Sequence, residues 1–289
     1  MNTKHKLTFG KEHVMRRFIL FLVVLVGVTI PVSAQTYSNK PISWGFQKSK
    51  NHKPADAGAS HEKLLKKYEA FYLGDTTKKE IYLTFDNGYE NGYTADVLDV
   101  LKKRKVPATF FVTGHYLKDQ PKLIKRMVRE GHIVGNHSWH HPDLTQVNDK
   151  RFKEELQKVE DKYKDITGRD DMQYIRSPRG VFSERTLALS QEEGYINVFW
   201  SLAFVDWMTN AQKGWRYSYD NIMAQIHPGA ILLLHTVSKD NAEALDKAIH
   251  DLQEEGYTFK SIDDLVFERE KVAPIEKKEP TDMTEQKTP

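Results

Sequence analysis

From residue 79 onward, short apolar runs alternate with longer stretches of helical periodicity. The runs lie at 81–85, 108–112, 132–136, 174–176, 196–201 and 231–234, and the helical stretches at 93–103, 121–129, 149–166, 183–193, 217–225 and 241–255. Several helices end on a glycine: Gly131 follows Glu130, Gly194 follows Glu193 and Gly256 follows Glu255. Glycine readily takes the left-handed conformation that closes a last helical turn. Strands that are apolar throughout are buried on both faces, and alternation with helices implies a parallel sheet covered by helices. The pattern therefore predicts an α/β fold, with one domain over 79–268. Ahead of it, residues 61–72 carry a helical stripe of Leu64, Leu65, Tyr68, Phe71 and Tyr72. Residues 35–60 are polar and contain Pro41 and Pro54, so 35–78 reads as an N-terminal arm and helix. Within the arm, Trp44-Gly45-Phe46 is expected to dock on the domain. Residues 269–289, rich in Lys, Glu, Thr and Pro, read as a disordered polar tail. No internal repeat is present.

Charge changes the picture once it is divided. The chain carries a formal +3, but Lys4, Lys6, Lys11, Arg16 and Arg17 against Glu12 place +4 within residues 1–34. The remainder is close to neutral, and nothing points to nucleic acid. Residues 1–34 combine a basic start, an apolar run over 18–30 and the small-residue site Val32-Ser33-Ala34. That is the form of a secretory signal peptide cut after Ala34, with Met15 as an alternative start. The apolar run is shorter than the ~20 residues of a spanning helix. A secreted or cell-envelope protein follows, without a stable membrane span after cleavage. It has no cysteine, so it must bury a core large enough to do without disulfides.

The candidate chemistry lies where the strands end. Asp86 closes the first run, His137 follows the third, Arg176 ends the fourth, Asp206 lies past the fifth and His235 follows Leu232-Leu233-Leu234. In barrel-type α/β folds the active site forms at the C-terminal ends of the strands. His137 and His141 are spaced i, i+4, close enough to share a cation if they occupy one turn of helix or a loop. Pro142 precludes a long helix there. Singly, each residue has a plain reading: Asp86 before Asn87-Gly88 as a turn former, His235 as a satisfied sheet-edge histidine, Asp206-Trp207 as a cap and core pair. Five ionisable residues at one edge are hard to obtain by accident. His115, His132, His140, His227 and His250 lack such a context and read as structural or surface residues.

These motifs, in this order, resemble the polysaccharide deacetylases of carbohydrate esterase family 4. The resemblance covers about residues 79–266. It rests on Thr84-Phe85-Asp86-Asn87, on His137-Ser138-Trp139-His140-His141, on Arg176-Ser177-Pro178-Arg179-Gly180, on Asp206-Trp207 and on Leu233-Leu234-His235. It implies a deformed (β/α) barrel of about seven parallel strands. It also implies that Asp86 is the general base toward the attacking water, that His137 and His141 hold a divalent metal, zinc by preference, and that His235 is the general acid. Arg176 would fix Asp86, and Asp206 would tune both Arg176 and His235. The Arg179 backbone amide, with Gly180 beside it, would stabilise the oxyanion, while Trp207 and Leu233 wall the acetyl methyl.

Asn87 departs from the pattern, because the family usually has a second, metal-binding aspartate there. A neutral amide in that place implies weaker metal binding. The stretch from Thr84 to Gly92, with Ala203-Phe204-Val205-Asp206-Trp207, also resembles the δ-lactam-biosynthetic de-N-acetylases of spore-forming bacteria. Those enzymes act on N-acetylmuramic acid of spore-cortex peptidoglycan. The expectation is thus a monomeric N-deacetylase of peptidoglycan glycan strands. An N-acetylglucosamine deacetylase is the alternative within the family, and an inactive glycan-binding domain the alternative outside it. Retention of Asp86, Arg176, Asp206 and His235 speaks for catalysis.

Overall fold

The computed structural model describes residues 36–272. The expected signal peptide over 1–34 and residues 273–289 of the expected tail lie outside the described residues. In chain order the elements are β1 (Ile42–Ser43), α1 (Ala59–Lys67), β2 (Glu80–Asn87), α2 (Thr94–Arg104), β3 (Thr109–Val112), α3 (Gly114–Asp119), α4 (Pro121–Arg129), β4 (Ile133–Asn136), α5 (Asp149–Thr167), β5 (Tyr174–Ile175), β6 (Val181–Phe182), α6 (Glu184–Glu192), β7 (Ile196–Asn197), α7 (Trp215–Gln225), β8 (Ile231–His235), α8 (Lys239–Glu254), β9 (Thr258–Lys260) and α9 (Ile262–Val272).

Seven strands make one parallel sheet in the order β7-β5-β4-β3-β2-β8, with β9 beside the start of β2. The period of two along a strand divides its side chains between faces. Ile81, Leu83 and Phe85 of β2 pack outward into the core beneath the helices, where Phe85 stacks on Phe110 at 5.0 Å. Tyr82 instead joins Phe111, Tyr174, Val198 and Ile231 inside the curl of the sheet, closed below by Ile262 and Leu265 of α9. The same alternation brings Asp86 to the inner face at the upper, C-terminal end.

The curl closes without a regular strand. The Ser201 and Leu202 amides donate to the Ile231 carbonyl at 3.0 and 3.2 Å, and Leu202 bridges Leu232 in parallel. Phe71 inserts beside β7, donating to Asn197 O at 2.9 Å and accepting from Phe199 N at 2.7 Å. A deformed barrel of seven parallel strands with helices outside it results, the parallel frame that the alternation predicts and the barrel that the resemblance implies.

Several boundaries differ from the sequence reading. The expected strand over 196–201 holds strand geometry only at Ile196–Asn197, and that over 174–176 only at Tyr174–Ile175. Both lie where the barrel is deformed, so pairing breaks while burial persists. The seventh strand, β9, is three residues long, too short to show a period. The helix α9 runs through Val272, into the stretch expected to be disordered. The arm packs on the domain and is no free linker. Its β1 pairs antiparallel with β6, and Trp44 lies 4.8 Å from Phe199, donating from Nε1 to Trp200 O at 3.0 Å. The glycines past α4, α6 and α8 (Gly131, Gly194 and Gly256) are left-handed, with φ of 83, 84 and 85°.

Candidate active site

Asp86 is the inward residue at the top of β2, and its register partner on β8 is His235. Arg176 rises from β5 into the barrel and is only 1 % exposed. Its NH1 donates to Asp86 Oδ1 at 2.8 Å, its Nε to Val198 O at 2.9 Å and its NH2 to Phe199 O at 3.3 Å. The guanidinium lies 4.2 Å over the Phe111 ring. Burial pushes the Asp86 carboxyl up. The Arg176 charge, helped by His137 and His235, more than offsets it, so Asp86 ends below its ordinary range and is ionised.

The two histidines of the second motif meet without a helix. Residues 137–141 form a tight loop in which Ser138 and His141 take left-handed backbones, with φ of 63 and 57°. The loop is pinned by Ser138 N to Asn136 Oδ1 at 2.9 Å, His140 N to Glu155 Oε2 at 2.7 Å and His141 N to Ser138 Oγ at 3.0 Å. The His137 and His141 rings consequently lie 4.8 Å apart. His137 Nδ1 is 2.8 Å from the Arg176 carbonyl oxygen. A carbonyl only accepts, so Nδ1 carries the proton and Nε2 presents its lone pair, 3.5 Å from Asp86 Oδ2. Burial lowers the pKa of both rings, that of His141 to about 4 with His137 beside it adding to the effect. Both are neutral imidazoles, the form that ligates a metal.

On the opposite side, His235 Nδ1 donates to Asp206 Oδ1 at 2.8 Å, and the His235 amide donates to Asp206 Oδ2 at 2.8 Å. Burial lowers the His235 pKa, but the Asp206 charge and hydrogen bond outweigh it, so the ring is held above its ordinary value. The sequence reading of Asp206 needs one correction. Asp206 bonds His235 and Asn241, whereas Arg176 bonds Asp86 and two carbonyls, so Asp206 contacts the histidine and not Arg176. Asn241 of α8, whose Nδ2 donates to Asp206 Oδ2 at 2.6 Å, was missed. Nothing in a lone asparagine on a helix marks it. Glu155, fully buried behind the histidine loop, was missed for the same reason.

Asp86, His137, His141 and His235 line a cleft of about 1090 Å³ together with Arg179, Gly180, Trp207 and Leu233, with Arg176 and Asp206 behind them. Trp207 stands half exposed on the lip, its ring 5.6 Å from His235, and Leu233 lies on the floor. Arg179 is left-handed at φ 58° and exposed. Gly180 beside it has φ 65°, and a Cβ there would stand 2.8 Å from the Trp200 ring, so glycine is required. His115 and His140, read as structural or surface residues, line the cleft as well.

Asn87 does not line the cleft. It is fully buried and its Nδ2 donates to Thr236 Oγ1 at 2.7 Å, which leaves Oδ1 without a protein partner. Such an orphaned acceptor costs about 1–3 kcal/mol. Among the described residues, no group of three or more His, Cys, Asp or Glu could hold a metal ion. The cleft offers two neutral imidazoles, donors that suit a divalent cation, while the unpaired Asn87 amide oxygen lies outside its lining.

The polysaccharide deacetylase profile matches residues 73–198. The chain is 62% identical over 237 residues to the peptidoglycan-N-acetylmuramic acid deacetylase PdaA of Bacillus subtilis (strain 168), covering 82% of this chain and 90% of that one. The chain belongs to the polysaccharide deacetylases. The solved structure of Bacillus subtilis PdaA, described as a family 4 carbohydrate esterase, superposes with a TM-score of 0.79 at 62% identity, over 80% of this polysaccharide deacetylase and 99% of that chain. A peptidoglycan-N-acetylglucosamine deacetylase of Bacillus cereus (strain ATCC 14579) is 34% identical over 203 residues, covering 68% of this chain and 71% of its own. This deacetylase is thus a hydrolase with the family's barrel, and its identity to the muramic enzyme is nearly double that to the glucosamine enzyme.

Proposed function

We propose that the chain removes the acetyl group from N-acetylmuramic acid in peptidoglycan, acting in the cell envelope on spore-cortex strands whose stem peptide has been cut away. The observation that carries this reading is the cleft's charge. Its one lining carboxylate, Asp86, is paired with Arg176, while Arg179 stands exposed at the mouth in no ion pair among the described residues. A denuded muramic residue bears a lactyl carboxylate that can meet this cation, and N-acetylglucosamine bears none. Among the described residues, no helix is long and apolar enough to cross a membrane.

In this reading Asp86, held ionised by Arg176, takes a proton from the attacking water. The water oxygen adds to the acetyl carbon, and the Arg179 backbone amide takes the developing oxyanion. His235, kept protonated by Asp206, gives its Nε2 proton to the nitrogen as the C–N bond breaks, releasing acetate and a free amine. Leu233 and Trp207 enclose the methyl group. His137, His141 and the Asn87 amide oxygen would hold a divalent cation, zinc by preference, which when bound polarises the acetyl carbonyl.

A charge-assisted hydrogen bond is worth roughly 1.5–3 kcal/mol, or about 10- to 150-fold in catalytic efficiency. Arg179→Ala should lose that much on denuded muramic glycans and keep any activity on N-acetylglucosamine oligomers, measured as acetate release. Equal losses on both substrates, or a wild type that prefers glucosamine, would transfer the enzyme to the glucosamine class. The cation assignment has its own measurement. Asn87→Asp restores a charge to the donor set and should tighten zinc binding in calorimetric titration. Equal affinities would place residue 87 outside the cation site.

A further inference from the structure

We propose that Lys118, laid on the face of Trp139, forms a second anion-reading subsite in the cleft, filled by the lactyl carboxylate of another muramic residue on the same glycan strand. The inference rests on the muramic reading above and extends it from one sugar to the strand.

The topology separates the two cations of the cleft. Lys118 belongs to α3, which follows β3, and Arg179 belongs to the turn that follows β5. Between β3 and β5 in the sheet lies β4, which leads into the loop of His137 and His141. Lys118 and Arg179 therefore stand on opposite sides of the loop of His137 and His141. A muramic residue carries its lactyl ether on the carbon next to the one bearing the acetamide. With the acetamide between Asp86 and His235, its own carboxylate reaches one flank only. The cation on the other side of the loop is then free to meet a different residue, and muramic acid recurs at every second sugar of the strand.

The seat of Lys118 is built. Its Nζ lies 5.3 Å from the Trp139 ring centroid. The indole rests against Gly114, where a Cβ would come within 2.2 Å of the ring, so only glycine lets Trp139 lie down on α3. The Trp139 amide donates to Glu155 O at 3.1 Å, which ties the platform to α5. A cation over an indole face is held in place while its N–H groups stay free for an anion. Lys118 enters no ion pair among the described residues, although many surface lysines do, Lys67, Lys103 and Lys164 among them. A lysine near the end of a helix also complements the helix dipole. That role needs neither an aromatic seat nor a place in the substrate cleft.

The test compares denuded glycans with one and with two muramic residues, using wild type, Lys118→Met and Lys118→Arg. A solvent-exposed pairing of this kind should lower the wild-type KM about fivefold on the two-muramic glycan at low salt. The gain should shrink as salt rises. Lys118→Met should erase it, Lys118→Arg should keep it, and converting the second lactyl carboxyl to a neutral amide should erase it in the wild type. A length gain that survives in Lys118→Met, or a wild type with no gain, overturns the subsite. Acetate release from the one-muramic glycan reports on the parent reading by itself. A wild type that leaves that glycan acetylated overturns the function, and one that deacetylates it without a length gain overturns only the subsite. Because the wild-type comparison needs no variant, it decides the matter even if Lys118→Met fails to fold.

Discussion

Asp86→Asn should lower kcat by roughly 10²–10⁴-fold, the usual worth of a positioned general base, while the chain still folds. The expectation follows from how singular Asp86 is. Among the described residues it is the only carboxylate lining the cleft, and Asn87 beside it has no basicity to lend. The change removes the counter-charge of the buried Arg176 and so costs stability, but an amide oxygen in the same place still accepts from Arg176 NH1, now 2.8 Å from Oδ1, which keeps the chain folded. The Arg176 bonds to the Val198 and Phe199 carbonyls are untouched. Acetate release on denuded muroglycans, read beside a circular-dichroism melt, measures both halves. A folded Asp86→Asn protein with near wild-type turnover would remove Asp86 from the chemistry.

Arg176→Met should do the reverse, costing stability first. It leaves Asp86 as a buried carboxylate without its cation and strips the Val198 and Phe199 carbonyls of their donor. Breaking a buried pair from one side costs about 3–5 kcal/mol. In a domain of this size the melting temperature should fall by roughly 6–20 °C. The pH dependence carries the diagnosis. In the wild type Asp86 titrates below its ordinary value of 3.8, so its contribution is present above that pH and lost as pH falls through the folded pKa. In Arg176→Met only His137 and His235 are left to oppose burial, which then raises the Asp86 pKa, so the folded variant holds a proton that the unfolded chain has released. Its stability should then decline as pH rises from about 4 toward its new pKa. The gap between wild type and variant should widen from pH 4 to 7 in denaturant titrations. A gap that does not change with pH would mean that Arg176 serves packing rather than the ionisation of Asp86.

The sequence alone determined the frame and which groups gather at its rim. Apolar runs alternating with helical stretches are set by local periodicity, and parallel strands buried on both faces leave few other architectures. Asp86, His137, Arg176, Asp206 and His235 were legible because each sits just past an apolar run. A parallel barrel brings all such ends to one rim. Tertiary structure decided what those groups do to one another. The His137 and His141 rings meet through two left-handed residues and the buried Glu155, where spacing alone left a helical turn and a loop both open. Asp206 turned out to hold His235 and not Arg176, with Asn241 arriving from a helix 35 residues away. The Asn87 amide faces Thr236, 149 residues along the chain, and Lys118 finds Trp139 only because Gly114 leaves room for the indole. A local pattern records which face a residue takes on its own element. Which side chain it meets across the barrel depends on packing among elements distant in sequence, and periodicity carries no trace of that.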